Sequence, residues 1–204
     1  MEIIFRGNRL PIIKTKRLIL RDIEIRDITS EYIGWLNNPG VNRYLEIRFI
    51  PQTKEKIIEY VQSALEDIRN KMHFGTYDKD GERLVGTVTL PSINWNHYFA
   101  NISFVIGHPE ASGKGYATEA VHGVIYYVFR QCKIVKLFGG YYQGNEKSAN
   151  VFKKNGFQIE GRFKKKVINY KNLRVDGIAE GLLSEDFVPD ESLLGQLPPQ
   201  TTFE

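Results

Sequence analysis

The stretch IGHPEASGKGYATEA, residues 106–120, combines three local signals that fix one part of the fold. Apolar residues end at Gly107, two glycines turn the chain at Gly113 and Gly115, and helix-forming residues begin at Tyr116. The first N–H groups of a helix have no partner within it, and the helix dipole makes that end positive. Glycine has no Cβ, so an anion can approach the backbone closely. The stretch therefore predicts a strand, an anion-binding turn and a helix.

A second motif, NEKSANVFKKNGF, occupies residues 145–157, one strand further along the chain. Asn145 is of a type that caps helices, because its side chain accepts a hydrogen bond from a free N–H of the first turn. Gly156 is of the type that ends them, because it adopts the left-handed conformation without strain. The motif therefore predicts a second helix that follows a strand directly.

The remaining periodicity predicts an order of strand, two helices, three strands, helix, strand, helix and two strands. This order indicates an α/β (α+β) fold, with a mostly antiparallel sheet, helices on both faces and one parallel crossover. Thr29 or Ser30 and then Thr53 are the expected caps of the first two helices. The other expected elements are strands at 16–21, 72–77, 83–90, 100–107, 134–142, 157–168 and 173–183, helices at 116–132 and 147–155, and a turn at Asp78-Lys79-Asp80-Gly81.

Composition bounds the class of protein. The 204 residues are 42% hydrophobic and 25% charged, which predicts one folded domain at 1–187 and an irregular tail at 188–204. The net charge of +4 suits an anionic small ligand, and no clustered basic stripe indicates nucleic acid. The single cysteine, Cys132, excludes an internal disulfide and fits a reducing compartment. No apolar run approaches the ~20 residues of a membrane span. We therefore expect a cytoplasmic protein without a metal.

With both motifs in this order, the chain resembles the GNAT acetyltransferase superfamily, in particular the branch of the ribosomal-protein alanine acetyltransferases. GKGYATEA is similar to the family's acetyl-CoA motif and NEKSANVFKKNGF to the motif that follows it. The resemblance covers roughly residues 14–187. It implies the GNAT fold with splayed central strands, acetyl-CoA as the cofactor, coenzyme A as a product, and direct transfer of an acetyl group to a primary amine.

The resemblance also implies how the cofactor is held. The amides of residues 113–118 bind the pyrophosphate, and strands 100–107 and 134–142 splay apart to admit pantetheine. Asn145 contacts the cofactor arm, and Ser148 lies near the thioester sulfur. The expected cofactor-binding residues are Val105, Ile106, Gly107, Ser112, Gly113, Lys114, Gly115, Tyr116, Ala117, Thr118, Asn145, Ser148 and Phe152.

Three positions depart from the family pattern. Ser112 stands where Gln or Arg is common, which removes one turn or phosphate contact but leaves the amides. Phe152 stands where many members have a tyrosine that protonates the leaving thiolate, and phenylalanine has no proton to give. Asn101 stands where several relatives have a glutamate base, and an amide cannot take a proton.

The catalytic roles must therefore fall on other residues. Ser148 is our predicted acid, because it lies at the start of the helix that faces the cofactor in the family pattern. His97, in a loop before strand 100–107, is the predicted base, since an imidazole with a pKa near ~6.5 suits that task. A backbone N–H at the end of strand 105–107 is the predicted oxyanion partner.

The segment WLNNPGVNRYLEIRF, residues 35–49, is similar to the acceptor lid of members that acetylate nucleotide-linked deoxyamino sugars. Arg43 and Arg48 are predicted to hold a diphosphate, Trp35 or Tyr44 to stack on a base or sugar, and His97 to meet the amine. Two alternatives stay open: a protein N-terminal acetyltransferase and a non-catalytic acyl-CoA sensor. The sequence allows a monomer or a homodimer.

Overall fold

The computed structural model describes residues 9–79 and 83–195, and its centre is formed by two five-stranded sheets. The first sheet has the order β1 (Ile13–Lys14), β2 (Leu18–Asp22), β3 (Met72–Asp78), β4 (Leu84–Leu90), β7 (Ser103–Ile106). The second has the order β5 (Ile93–Asn94), β6 (Phe99–Asn101), β8 (Lys136–Tyr142), β10 (Arg174–Leu183), β9 (Gln158–Ile168). All neighbours are antiparallel except β6 and β8, which are parallel, as predicted for one crossover.

Helices cover both faces of the first sheet, which confirms the predicted fold class. They are α1 (Ser30–Asn37), α2 (Pro39–Asn42), α3 (Lys54–Glu66), α4 (Tyr116–Arg130) and α5 (Glu146–Lys154), with 3₁₀ turns at Ile25–Asp27, Glu46–Phe49 and Pro109–Ala111. The caps are those predicted: the side chains of Thr29, Thr53 and Asn145 accept backbone N–H bonds from the first turns. One core cluster joins α4 and α5 to the sheets, and a second joins α1 and α3 to the other face.

The predicted strand 100–107 is in fact two strands in different sheets. Its first part, β6, pairs with β8, and its second part, β7, pairs with β4. Ile102 lies between them, and its N–H still donates to the Phe138 carbonyl at 2.7 Å. Beyond that bond β7 and β8 diverge, which opens the expected gap between the central strands.

The end of the described chain packs more regularly than predicted. Residues 188–195 turn back on β1, where Thr15 and Leu194 form an isolated bridge and Lys16 N–H donates to Leu193 at 2.9 Å. The Asp190 N–H also donates to His122 Nε2 at 2.9 Å. Residues 196–204 of the predicted tail, and Asp80 and Gly81 of the predicted turn, lie outside the described residues. No helix among 9–79 and 83–195 is long and apolar enough to cross a membrane.

Gly107 follows β7 at a point of close approach to α1. A Cβ built on Gly107 would overlap the indole ring of Trp35, which is itself only 4% exposed. Position 107 must therefore be glycine, because any larger side chain would displace Trp35 from the core beneath β7.

We expect Gly107→Ala to lower the free energy of unfolding by about 2–3 kcal/mol, because the indole ring has to shift within a packed core. Gly34→Ala is the matched control, since nothing lies within 4 Å of a Cβ at that helical site. It should raise stability by up to about 1 kcal/mol. Urea denaturation measures both, and equal midpoints for Gly107→Ala and the unaltered protein would refute the expectation.

Candidate active site

The turn before α4 presents a row of free backbone donors. Gly113 and Gly115 adopt left-handed conformations with φ of 78° and 80°. Within the described residues, none of the N–H groups of residues 113–118 donates to a protein acceptor. These N–H groups stand at the positive end of a 15-residue helix. The turn therefore fits a pyrophosphate, as the sequence predicts.

A buried carboxylate fixes this turn to the start of the first sheet. Glu119 is fully buried, and its Oε1 atom accepts bonds from Thr15 Oγ1 at 2.7 Å and Arg17 N at 2.6 Å. Its Oε2 atom accepts from Arg17 Nε at 2.7 Å, and Arg17 Nη1 donates to the Lys114 carbonyl at 2.9 Å. We call these contacts the Glu119 clamp. Local sequence patterns gave no signal for it, because Arg17 and Glu119 are 102 residues apart.

The free edge of β7 supplies the second set of donors. The Gly107 N–H donates to Val85 of β4, and Ile102 N–H points the other way, to Phe138 of β8. Because N–H groups alternate along a strand, those of Phe104 and Ile106 face the gap and that of Val105 faces β4. Val105 lines the cavity described below although its N–H faces β4, and the N–H of Gly107 donates to Val85, so Ile106 is the one of these three predicted residues whose N–H faces the gap.

Asn145 caps helix α5 and Ser148 lies in its first turn, and neither residue lines that cavity. Ser148 Oγ accepts a bond from Asn145 Nδ2 at 2.9 Å, which leaves the hydroxyl proton of Ser148 free to be donated. Phe152 follows one helical turn later but is 1% exposed. Its ring packs against Gly139, Phe104, Tyr141 and Phe157. The prediction of direct cofactor contact by Phe152 is corrected, because this ring belongs to the core.

A cavity of about 850 Å³ opens between the two sheets beside this gap. Its walls come from α1, α3, β3, β4, β6, β7, β8, β9 and β10, from the segment 44–47, and from Gln52 and Pro91 in loops. Tyr44 lines it, as predicted for an acceptor residue. Trp35 does not, because it is buried beneath Gly107, so its predicted stacking role is wrong.

The two predicted arginines lie just outside the lining. The Arg43 guanidinium sits 5.5 Å from the ring centres of both Tyr44 and Tyr170. Arg48 donates to the Ile168 carbonyl and, at 3.4 Å, to the Tyr142 hydroxyl. The hydrogen-bond donors of Arg43 are thus available to a ligand, whereas some of the donors of Arg48 already bind protein acceptors.

His97 is not near the cavity. It is exposed and stacks on Phe99 at the start of β6, with ring centres 6.4 Å apart, whereas the cavity begins at Asn101, where β6 ends. The prediction of His97 as base and acceptor contact is therefore wrong. His73 does line the cavity, but burial lowers its pKa to about 3, and its Nδ1 is bonded to Thr89 Oγ1 at 2.7 Å. Its imidazole is neutral at physiological pH.

Neither a nucleophilic thiol nor a metal centre is apparent among the described side chains. Burial raises the pKa of the Cys132 thiol to about 12, so it stays protonated. No group of three or more His, Cys, Asp or Glu residues in 9–79 and 83–195 is placed to hold a metal ion.

A pyrophosphate turn, a gap between strands and a cavity beyond it define an acyltransferase that takes its acyl group from a coenzyme A thioester. The family model described as an acetyltransferase (GNAT) domain matches residues 17–158, and the chain belongs to that family. It is an N-acetyltransferase that uses acetyl-CoA. The alternative of a non-catalytic sensor is set aside, because the curated relatives it matches are named N-acetyltransferases.

Two relatives and two solved structures illustrate the likeness. Spermidine N(1)-acetyltransferase of Escherichia coli K12 is 30% identical, with 86% of this chain and 93% of that one covered. The probable N-acetyltransferase YjcK of Bacillus subtilis is 28% identical, with 83% and 92% covered. A Vibrio cholerae spermidine N-acetyltransferase with CoA and spermine has TM-score 0.73, 23% identity and coverages of 83% and 97%. The ribosomal-protein-S5-alanine acetyltransferase of Vibrio fischeri has TM-score 0.67, 22% identity and coverages of 88% and 100%. At these identities the structures show a shared fold.

Gly115→Val should weaken acetyl-CoA binding by about 10-fold or more, because a branched side chain both strains the left-handed backbone and crowds the free N–H groups. Gly156→Val is the matched control, with a φ of 89° at the far end of α5. It should lower thermal stability and leave acetyl-CoA affinity intact. Calorimetric titration with acetyl-CoA measures both, and an unchanged affinity in Gly115→Val would refute the assignment.

Proposed function

We propose that this enzyme acetylates the amine of a nucleotide-linked amino sugar. The observation that carries the proposal is the lining of the cavity, which is rich in tyrosine and cationic at its rim. Tyr44, Tyr60 and Tyr142 line it together with Lys56 and Lys166, against one carboxylate, Glu46. Aromatic rings suit a base or a sugar, and cations suit a diphosphate.

The same lining is unfavourable for a polyamine, although two relatives of this chain are named spermidine acetyltransferases. A polyamine carries several positive charges, and each would need a carboxylate in place of Lys56 or Lys166. A protein N-terminus is the second alternative acceptor. It is included in the acceptor screen because this chain shares its fold with a ribosomal-protein alanine acetyltransferase. An N-terminal peptide has no diphosphate for Arg43 to bind.

The cofactor supplies an activated thioester when it is bound, and the chain supplies the groups around it. The N–H groups of residues 113–118 hold the pyrophosphate, and the N–H groups of Phe104 and Ile106 line the path of the acetyl-bearing arm. Ser148 gives a proton to the leaving sulfur, since its hydroxyl already accepts from Asn145 and has its own proton to donate. The cytoplasmic location stays a prediction from the single cysteine.

An acceptor screen tests the substrate class. Thiol release from acetyl-CoA should be seen with a UDP-linked amino sugar, and not with spermidine or with a peptide that begins with alanine. Arg43→Ala should then raise the acceptor KM by about 10-fold or more, because a charge-assisted bond of about 1.5–3 kcal/mol is lost. Arg26→Ala is the control, since this exposed arginine pairs with Glu24 away from the cavity. Turnover of the peptide alone would favour the N-terminal acetyltransferase.

Ser148→Ala should lower kcat by about 100-fold, with little change in the KM for acetyl-CoA, because only proton transfer is removed. Ser148→Thr keeps a hydroxyl at the same position and should retain most of the activity. Rapid-quench measurement of the first turnover isolates the chemical step. A first-turnover rate for Ser148→Ala equal to that of the unaltered enzyme would leave Ser148 with its capping contacts alone.

A further inference from the structure

The cavity lining in the described part of the chain contains a single carboxylate, that of Glu46. Glu46 opens the 3₁₀ turn Glu46–Phe49, and its Oε1 atom accepts a hydrogen bond from the hydroxyl of Tyr142. No cation of the described residues lies within 4.0 Å of it, since every ion pair found involves other carboxylates. Glu46 therefore presents to the cavity a carboxylate that has no ion-pair partner among the described residues.

The cations nearby contact other groups of the protein, and none of them pairs with Glu46. Lys56 Nζ donates to the Pro51 carbonyl at 3.1 Å. Lys166 Nζ sits 4.4 Å from the ring centre of Phe163. Arg48 donates to the Ile168 carbonyl and stacks 3.9 Å from the ring centre of Phe49. An ammonium group that enters the cavity would thus find the Glu46 carboxylate available.

Tyr142 places Glu46 with respect to the gap. It is the last residue of β8, which forms one wall of the gap opposite the free edge of β7. Tyr142 is 8% exposed, so its ring is held firmly, and burial raises its pKa. Its hydroxyl therefore stays protonated and fixes Oε1 of Glu46. The other oxygen, Oε2, is left for a ligand.

We infer that Glu46 is the residue that binds the ammonium group of the acceptor and receives its proton. The inference rests on the proposed function only for the acceptor's identity, because any primary amine would use the same carboxylate. A protonated amine cannot attack a thioester, since its nitrogen has no free electron pair. Sequence patterns could not suggest Glu46, because the partner that fixes it lies 96 residues away.

The ammonium gives one proton to the Glu46 carboxylate, and the freed electron pair forms a bond to the acetyl carbon. The carbon–sulfur bond breaks, and its electron pair stays on sulfur. A second N–H proton leaves the new amide nitrogen for solvent, while the sulfur takes a proton from Ser148, which regains one from solvent. Glu46 is exposed, so it returns its own proton to solvent before the next turnover.

The test compares Glu46→Gln with the unaltered enzyme at saturating acetyl-CoA, with UDP-glucosamine as the acceptor probe. At pH 7 the kcat/KM for the acceptor should fall by about 100-fold. As the pH rises toward the pKa of the amine, the kcat/KM of Glu46→Gln should recover by about 10-fold per pH unit, because a growing fraction of the amine is already neutral. The titratable groups that line the cavity with Glu46 are Tyr32, Tyr44, Lys56, Tyr60, His73, Tyr141, Tyr142 and Lys166, and Arg48 contacts Tyr142 from outside the lining.

Two further variants separate this role from a structural one. Tyr142→Phe removes the hydrogen bond between Tyr142 and Glu46 but keeps the carboxylate. Its kcat/KM should therefore fall by less than about 10-fold and show no recovery at high pH. Glu59→Gln removes an exposed charge from α3 outside the cavity and should behave as the unaltered enzyme. Wild-type kcat/KM in Glu46→Gln, or a loss that is the same at every pH, would overturn the inference.

The outcome is independent of the acceptor proposed above. If UDP-glucosamine does not react, the same series is run with spermidine or the alanine peptide, whichever turns over in the screen. Failure of the sugar nucleotide then refutes the proposed acceptor, and only the pH behaviour of Glu46→Gln decides the role of Glu46.

Discussion

The hydrogen bond from Ile102 N–H to the Phe138 carbonyl marks the point at which the two sheets part. Up to that bond β6 runs parallel to β8, and beyond it β7 belongs to the other sheet. Without this change of partner, β7 would continue the ladder and cover the N–H groups of Phe104 and Ile106. The gap between the strands and the cavity beside it both depend on this change of partner, because each is lined by the strands that diverge there.

The Glu119 clamp holds the turn before α4 in a fixed position relative to the first sheet. This ion pair adds little net stability, because desolvation of the fully buried Glu119 carboxylate offsets its attraction to the partly exposed Arg17. Its value lies in position: Arg17 reaches from the start of β2 to the Lys114 carbonyl within the turn. The free N–H groups are thereby oriented before a ligand arrives, so little ordering entropy remains to be lost on binding.

The sequence predicted the features that depend on contacts between residues near each other in the chain. It missed the features that depend on contacts between distant residues. Asn145 and Gly115 act on residues within one helical turn, so composition and spacing sufficed to predict the cap of α5 and the glycine turn before α4. The contacts of Glu119 with Arg17 and of Glu46 with Tyr142 cross about half the chain, and no local pattern encodes them. His97 shows a further limit: its loop precedes the right strand, but periodicity does not tell which end of a strand meets a cavity.

The turn before α4 and the cavity are built from different parts of the chain, backbone N–H groups in the first and mainly side chains in the second. The free donors of the turn before α4 are backbone N–H groups, which every residue except proline carries, so replacement of the side chains around the turn leaves them in place. The cavity is lined by residues from nine strands and helices and from the loops between them, and almost any replacement there alters its shape or charge. A lineage with this architecture can exchange one amine for another by a few point changes while it inherits its acetyl donor unaltered.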